Sequence, residues 1–218
     1  MLVREVMSSP VVTVGRTTSI RQAVRVLYEH DVTAAPVLDD AGRLVGVVSE
    51  LDLLRGEFQP DPRAAARPVP RVEGPPPALV WQVMTHAVVT VSETADVTAA
   101  VDLMVGKQVK SLPVLAGHRV VGMVSRRDLM RMLARPDEEL RAEVAAALRE
   151  HYPHGPFWEV AVHDGVAELR PAPEPPPSTA PGPPGSLLAS GPGDVLAEHV
   201  ADVLARTVPG VVRVRHLR

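Results

Sequence analysis

The chain has no cysteine, and only 3% of its 218 residues are aromatic. The lack of cysteine excludes disulfide bonds, thiol catalysis and cysteine-ligated metal, and it agrees with a reducing compartment. No segment approaches the run of about 18 apolar residues that a membrane-spanning helix needs. The amino-terminal segment carries Arg4 and Glu5 where a secretory signal has apolar residues, so we expect a cytoplasmic protein.

Motifs of catalysis are also missing from the sequence. It contains no phosphate loop of the Gly-x-x-x-x-Gly-Lys type, no His-Glu-x-x-His metal motif and no recognisable nucleophile with its base. The net charge of −3 gives no general attraction to nucleic acid or anionic lipid. The 45% of apolar residues is enough for a core. These features predict a globular protein that is not an enzyme and requires no metal or cofactor.

What the chain does contain is one unit that occurs twice. Residues 7–14 read Met-Ser-Ser-Pro-Val-Val-Thr-Val, and residues 84–91, which lie 77 positions later, read Met-Thr-His-Ala-Val-Val-Thr-Val. Both copies end alike, at 46–52 and 122–128, with glycine, two apolar residues, serine and, three positions on, aspartate. This duplication predicts two half-domains that bury their apolar faces together and leave a cleft where they meet.

Two proline-rich stretches divide the chain, because proline lacks the backbone N–H that helices and central strands need. Residues 59–77 are expected to form an extended connector, and residues 171–185 a disordered insertion. The resulting divisions are a first repeat at 1–58, a second repeat at 78–135 and a tail at 138–218.

Each repeat shows the pattern strand, helix, strand, strand, helix. In the first repeat, a short strand at 11–14 precedes a helix that Thr18 or Ser19 caps. A hairpin follows at 32–48, and Ser49 begins the last helix. A short amphipathic segment precedes each repeat. We assign these two lead-ins, residues 2–7 and 79–84, to the repeat that follows each of them.

This arrangement resembles a tandem pair of CBS domains, the regulatory modules named after cystathionine β-synthase. The resemblance covers residues 1–135 and rests on Val6-Met7 and Val83-Met84, the two Val-Thr-Val strands, Pro36 and Pro113, and the two endings from glycine to aspartate. It implies an α/β fold in which the repeats pack through their sheets with pseudo-twofold symmetry. It also implies a homodimer and two related clefts for an adenosine-containing ligand such as AMP, ADP, ATP or S-adenosylmethionine.

The residues at the end of each repeat suit such a ligand. Ser49 and Ser125 lie where a strand turns into a helix, so the hydroxyl and the first backbone N–H groups favour a phosphate. Asp52 and Asp128 lie one helical turn later, and a carboxylate accepts two hydrogen bonds from a ribose diol. The alternative is that each pair is only a capping box, and capping and binding are compatible.

The remaining candidate residues line the same places. An adenine slot would be formed by strand residues of the two repeats, Thr13 and Thr90, together with Ala35 and Leu112. Arg126 and Arg127 suit phosphate groups, whereas the first repeat has Glu50 and Leu51 in their place, so we expect the Asp128 cleft to bind more tightly than the Asp52 cleft. Lys110 would also reach the phosphates. The alternative is that these three cations only face solvent.

The tail is predicted to fold as helix, strand, strand, helix, strand, with an Asp-Gly turn between the first two strands. The elements are expected at 140–150, 157–162, 166–169, 195–208 and 210–216. The second helix is predicted from an apolar set with helical spacing, Leu196, Val200, Val203 and Leu204. This αββαβ order resembles a BON domain, a module associated with phospholipid or protein contact, although the insertion replaces that family's usual short segment.

The end of the chain is basic, which admits an anionic partner. The residues concerned are Arg206, Arg213, Arg215 and Arg218. Alternation of valine with arginine is also typical of a half-buried edge strand.

Together, these features predict a sensor without catalytic activity. In it, an adenosine ligand bridges the repeats and changes what the BON-like tail presents to a protein or anionic surface. The alternative is a structural or interaction module whose clefts are empty and whose tail docks to a protein or a membrane. Nothing in the sequence indicates a nucleic-acid partner.

Overall fold

A computed structural model describes residues 1–55, 63, 76–153, 155, 157–172 and 195–217. Contacts divide the chain into one compact unit at residues 2–128 and a second at residues 129–218, to which Met1 is assigned. Most of the connector expected at 59–77 and of the insertion expected at 171–185 lies outside the described residues. No helix in the described part of the chain is both long and apolar enough to cross a membrane.

The first repeat forms a three-stranded sheet with two helices. Its elements are β1 (Val14–Gly15), α1 (Ile20–Glu29), β2 (Ala34–Leu38), β3 (Leu44–Ser49) and α2 (Glu50–Leu54). β2 is the central strand, parallel to β1 and antiparallel to β3. The Ser19 side chain caps α1 by accepting a hydrogen bond from the Gln22 N–H, which decides between the two predicted caps. β1 begins three residues later than the strand predicted at 11–14.

The second repeat has the same elements in the same order. They are β4 (Val91–Ser92), α3 (Val97–Gly106), β5 (Ser111–Ala116), β6 (Arg119–Ser125) and α4 (Arg126–Leu133). Its sheet has the order β4-β5-β6 with the same strand directions. Asp96 caps α3 through the Thr98 N–H. The predicted pattern of strand, helix, strand, strand, helix is therefore confirmed in both repeats.

Each lead-in contacts the other repeat, which differs from the assignment made from the sequence. In the first lead-in, the Val3 N–H donates to Ala95 O at 2.9 Å. In the second, the Val80 N–H donates to Thr18 O at 2.9 Å. The residue after each lead-in pairs with a strand of the opposite sheet, Ser8 with Met123 and Thr85 with Val47. This exchange was not visible in the sequence, because a lead-in that is adjacent along the chain need not be adjacent in space.

The tail unit contains α5 (Asp137–His151), β7 (Phe157–His163), β8 (Val166–Ala172), α6 (Val195–Thr207) and β9 (Arg213–His216). β7 and β8 form an antiparallel hairpin, and β9 lies parallel to β8 at the edge. Asp164 and Gly165 in the turn have φ values of 49° and 72°, as a two-residue hairpin of type I′ requires. The predicted αββαβ order is confirmed. β8 includes Pro171 and Ala172, so the segment predicted as disordered begins with two strand residues.

The helix α6 turns only part of the predicted apolar set to the core, since Leu204 packs partly buried against it and Val200 is half-buried. Its buried residues are Ala197, Ala201 and Ala205, whereas Leu196 is 69% exposed and Val203 is 48% exposed. Ala201 and Ala205 belong to the same core as the buried face of α5, which consists of Leu140, Val144 and Leu148. Small side chains let two packed elements approach closely, so the helix turns its alanines inward even though leucine and valine are more apolar.

Candidate ligand-binding clefts of the repeat pair

The start of α2 places Ser49 and Asp52 in a complete capping box. Asp52 Oδ2 accepts hydrogen bonds from the Ser49 N–H at 2.9 Å and from Ser49 Oγ at 2.6 Å. The Asp52 N–H donates back to Ser49 Oγ at 3.4 Å. The carboxylate is half-buried. Among the described residues, no group donates a hydrogen bond to Asp52 Oδ1, so that oxygen remains available to a ligand.

The start of α4 repeats this geometry and adds one contact. Asp128 Oδ2 accepts from the Ser125 N–H at 2.8 Å and from Ser125 Oγ at 2.6 Å. Asp128 Oδ1 accepts from Ser8 Oγ at 2.8 Å. Asp128 is 7% exposed and is the one buried charged side chain of the described residues. Both of its oxygens are therefore hydrogen-bonded within the protein.

The two serines are less suited to phosphate than the sequence implied. Each hydroxyl donates its only proton to the aspartate of its own box. The next backbone N–H is also paired, that of Glu50 with Thr33 O and that of Arg126 with Lys110 O, both at 3.0 Å. The capping role of these residues is thus present in the structure. Binding of a phosphate by these groups stays a prediction, and fewer hydrogen-bond donors are available for it than the sequence implied.

Arg126 and Arg127 are exposed at the start of α4. A guanidinium nitrogen of Arg127 lies 3.4 Å from Asp31 Oδ2, which belongs to the turn after α1 of the first repeat. Both side chains are mostly exposed, so the free energy of this ion pair is small. Together with Ser8, Asp31 shows that the first repeat contributes side chains to the beginning of α4. The sequence did not single out either residue.

In each repeat, the residues of the predicted adenine slot lie beside an edge of the central strand that no other described strand covers. β1 pairs with β2 only at Val37 and Leu38, so no strand of the described chain lies on that side of Ala35. β4 likewise pairs with β5 only from Val114 onward, which leaves Leu112 beyond it. Such an edge presents backbone groups that suit the polar edge of a purine.

The four slot residues contribute differently. Ala35 and Leu112 have side chains that are fully buried in the core, so they offer a ligand their backbone only. Thr13 and Thr90 are half-buried. Ala34 lies opposite Ser49 across β2 and β3, and Ser111 lies opposite Ser125 across β5 and β6, so each slot adjoins its capping box. Lys110 is exposed immediately before β5.

The described residues contain no group of three or more histidine, aspartate or glutamate side chains that would hold a metal ion.

The curated relatives cover about 60–67% of this chain. An uncharacterised protein of Methanocaldococcus jannaschii, MJ1404, is 29% identical over 137 residues, which is 61% of this chain and 32% of the relative. The L-aspartate semialdehyde sulfurtransferase of the same organism is 27% identical over 132 residues, which is 60% of this chain and 23% of the relative. This chain therefore matches about a third or less of the length of these relatives.

A solved structure shows the same fold. The CBS domain pair of protein MJ0100, in complex with 5′-methylthioadenosine and S-adenosyl-L-methionine, is 25% identical, with a TM-score of 0.50 over 62% of this chain and all of that one. The family model of the CBS domain matches residues 3–57 and 80–135. The two segments that the family model matches coincide with the two repeats, which share the sheet order and the capping boxes described above. The chain thus belongs to the CBS domain family and carries two copies of that domain.

Proposed function

We propose that the repeat pair is a sensor that binds an adenosine-containing ligand, AMP, ADP, ATP or S-adenosylmethionine, and catalyses no reaction. The observation that carries the proposal is the position of Asp52. Its half-buried carboxylate keeps one oxygen available, and it adjoins the open edge of β2 at Ala35. A ribose diol and a purine need an acceptor of this kind beside a backbone edge of this kind.

Two further facts support the proposal. The CBS pair of MJ0100, which has the same fold, holds two adenosine compounds, 5′-methylthioadenosine and S-adenosyl-L-methionine. One of these is uncharged at the 5′ position, which agrees with a cleft whose serine hydroxyls and first N–H groups are already paired. A catalytic role finds no support in the described residues, where the two aspartates are held by capping bonds.

The signal would leave the repeat pair through the tail, and the protein would act as a cytoplasmic homodimer. The αββαβ order of the tail supports its assignment as a BON-like module. Its partner would be a protein or an anionic surface. The net positive charge available for such a surface is limited, because Arg206 pairs with Asp202 at 3.0 Å and Arg215 lies beside Glu168 in the sheet. Arg218 lies outside the described residues.

Ligand binding is tested by titrating the protein with AMP, ADP, ATP and S-adenosylmethionine in a calorimeter and in thermal unfolding. A site held at 100 times its dissociation constant is expected to add about 2.7 kcal/mol to the free energy of unfolding. Asp52→Asn should weaken binding to the first cleft by tenfold or more. The control Asp40→Asn removes the same charge from the exposed turn between β2 and β3 and should bind as the wild type does.

A second candidate function is an interaction module whose clefts bind nothing. The observation in its favour is Asp128, which has both carboxylate oxygens hydrogen-bonded to side chains of the protein itself. If none of the four compounds gives heat or raises the unfolding temperature, this second function replaces the first. Binding of any of them that Asp52→Asn or Asp128→Asn weakens decides for the sensor.

A further inference from the structure

The hydroxyl of Ser8 occupies the place at Asp128 where a ligand hydroxyl would donate. Ser8 Oγ lies 2.8 Å from Asp128 Oδ1, the oxygen that faces away from the capping box. The residue is fixed there by two backbone hydrogen bonds to Met123, at 2.8 and 3.1 Å. It comes from the opposite repeat, so the first repeat closes the cleft of the second.

The first cleft has the same backbone arrangement without this closure. Thr85 takes the position of Ser8 and makes two backbone hydrogen bonds to Val47, at 3.0 and 2.9 Å. Its side chain is exposed, as that of Ser8 is, but no hydrogen bond joins it to Asp52 in the described part of the chain. The β-branched threonine has fewer accessible rotamers than serine. The consequence is one aspartate that is half-buried and open and another that is 7% exposed and fully bonded.

We infer that Ser8 sets the affinity of the second cleft, by competing with the ribose hydroxyls of an adenosine ligand for Asp128. This inference rests on the proposed function and adds to it the order in which the two clefts bind the ligand. The first cleft, at Asp52, binds a diol directly, whereas a diol at the second cleft competes with the Ser8 hydroxyl for Asp128. The order is opposite to the one that Arg126 and Arg127 suggested from the sequence.

The competition between Ser8 and a ligand concerns the ribose diol alone, so it is independent of the charge near the phosphates. A carboxylate oxygen accepts up to two hydrogen bonds, and burial limits how many donors reach it. Asp128 Oδ2 already has two donors, and Oδ1 already has Ser8. Removing the Ser8 hydroxyl removes one donor that competes for Oδ1, so a ribose hydroxyl takes its place at a lower cost.

Calorimetry with AMP tests this in the full chain. The Asp52→Asn variant isolates the second cleft, and Ser8→Ala is then added to it. We expect Ser8→Ala to tighten AMP binding about tenfold, equivalent to about 1.4 kcal/mol. Thr85→Ala in the same background is the matched control and should leave the affinity unchanged. An affinity that Ser8→Ala leaves equal or lowers overturns the inference.

A second pair of measurements covers the case in which Ser8→Ala does not fold. Thr85→Ser, made together with Asp128→Asn, introduces the competing hydroxyl into the first cleft and should weaken AMP binding there several-fold. An unchanged affinity counts against the inference. The ligand 2′,3′-dideoxyadenosine, which lacks the diol, should bind equally to the protein with and without Ser8→Ala, and a gain equal to that of AMP also counts against it.

The two hypotheses fail differently. If neither AMP nor S-adenosylmethionine binds to the wild type or to any variant, the proposed function is wrong, and the role of Ser8 is wrong with it. If both compounds bind through Asp52 and Asp128 while Ser8→Ala changes nothing, the function stands and only the inference is overturned.

Discussion

At the scale of single residues, a glycine in each repeat makes room for a methionine of the other. A Cβ atom on Gly46 would collide with the Met84 side chain, and one on Gly122 would collide with Met7. A backbone oxygen is also near each Cβ position, Thr85 O at 3.1 Å and Ser8 O at 3.1 Å. The glycine of each Gly-to-Asp ending is therefore needed for the exchange of lead-ins, because the approaching backbone leaves no space for a side chain.

We expect Gly46→Ala to destabilise the repeat pair by about 1–3 kcal/mol, the usual cost of overpacking a core. Chemical unfolding followed by circular dichroism measures the change. Gly106→Ala is the control, because a Cβ there meets no atom within 4 Å at the exposed end of α3, and we expect a neutral or slightly stabilising effect. Equal effects of both substitutions would contradict the packing explanation.

The aspartates of the two capping boxes show what local sequence predicts well. A serine and an aspartate three positions apart at a helix start have short-range partners, so the hydrogen bonds of Ser49 with Asp52 were foreseeable. The Ser8 contact to Asp128 spans 120 positions and was not. Its residue type gives no signal, because Thr85 occupies the equivalent position and makes no such bond in the described part of the chain.

At the scale of secondary structure elements, Asp137 joins the first turn of α5 to the β7–β8 hairpin. Its carboxylate accepts hydrogen bonds from the Gly165 N–H at 2.9 Å and the Asp164 N–H at 2.8 Å. These bonds, first that of Gly165 and then that of Asp164, lower the pKa of Asp137. The helix and the hairpin are thus connected by a carboxyl group whose ionised form these hydrogen bonds favour.

A lowered pKa means that the stabilisation from Asp137 is complete above the pKa of the unfolded chain, about 3.9 for aspartate. It is lost as the pH falls from there through the lower pKa of the folded protein. We expect Asp137→Asn to unfold at a lower temperature than the wild type near neutral pH, and this difference to shrink below about pH 4. Thermal melts across that range measure it.

The control for that series is Asp164→Asn. It removes a charge from the same turn, at a residue whose φ of 49° asparagine also tolerates, and it leaves the two bonds of Asp137 in place. We expect the unfolding temperature of this variant to change between neutral and acid pH as that of the wild type does. A difference that persists unchanged at low pH in Asp137→Asn would show that ionisation of Asp137 is not the cause.

The helix α6 shows where periodicity misleads at this scale. Its apolar residues define two possible faces, one of leucine and valine and one of alanine. Hydrophobicity favours the first face, but the structure buries Ala201 and Ala205 completely and leaves Leu204, from the first face, only partly buried against the same core. The distance at which α6 packs against its neighbours decides the face, and no pattern within the helix contains that distance.

At the scale of the whole molecule, the repeats leave apolar side chains on the outer surfaces of their helices. Tyr28 on α1 is 86% exposed and Leu51 on α2 is 67% exposed, while Val105 on α3 and Met130 on α4 are 73% and 66% exposed. Both repeats expose such residues at equivalent helices. Exposed apolar surface of this kind is typical of an interface and supports the proposed homodimer.

We expect the double substitution Tyr28→Glu and Val105→Glu to convert a dimer into a monomer, because charged side chains oppose burial of this surface. Light scattering coupled to gel filtration reads the mass. Val195→Glu is the control, since Val195 is 78% exposed but lies in the tail. A wild type that is already monomeric, or a double variant that remains a dimer, would remove this surface from the proposed interface.

The sequence by itself determined the duplication, the order of elements in both repeats and in the tail, and the two capping boxes. All of these depend on contacts within a few residues or on helical and strand periods, which a sequence displays directly. The tertiary structure alone decided that the lead-ins exchange between repeats, that α6 buries its alanines and that Ser8 closes only one of the two clefts. Each of these depends on how closely two distant segments pack, and that distance follows from the summed shapes of many side chains.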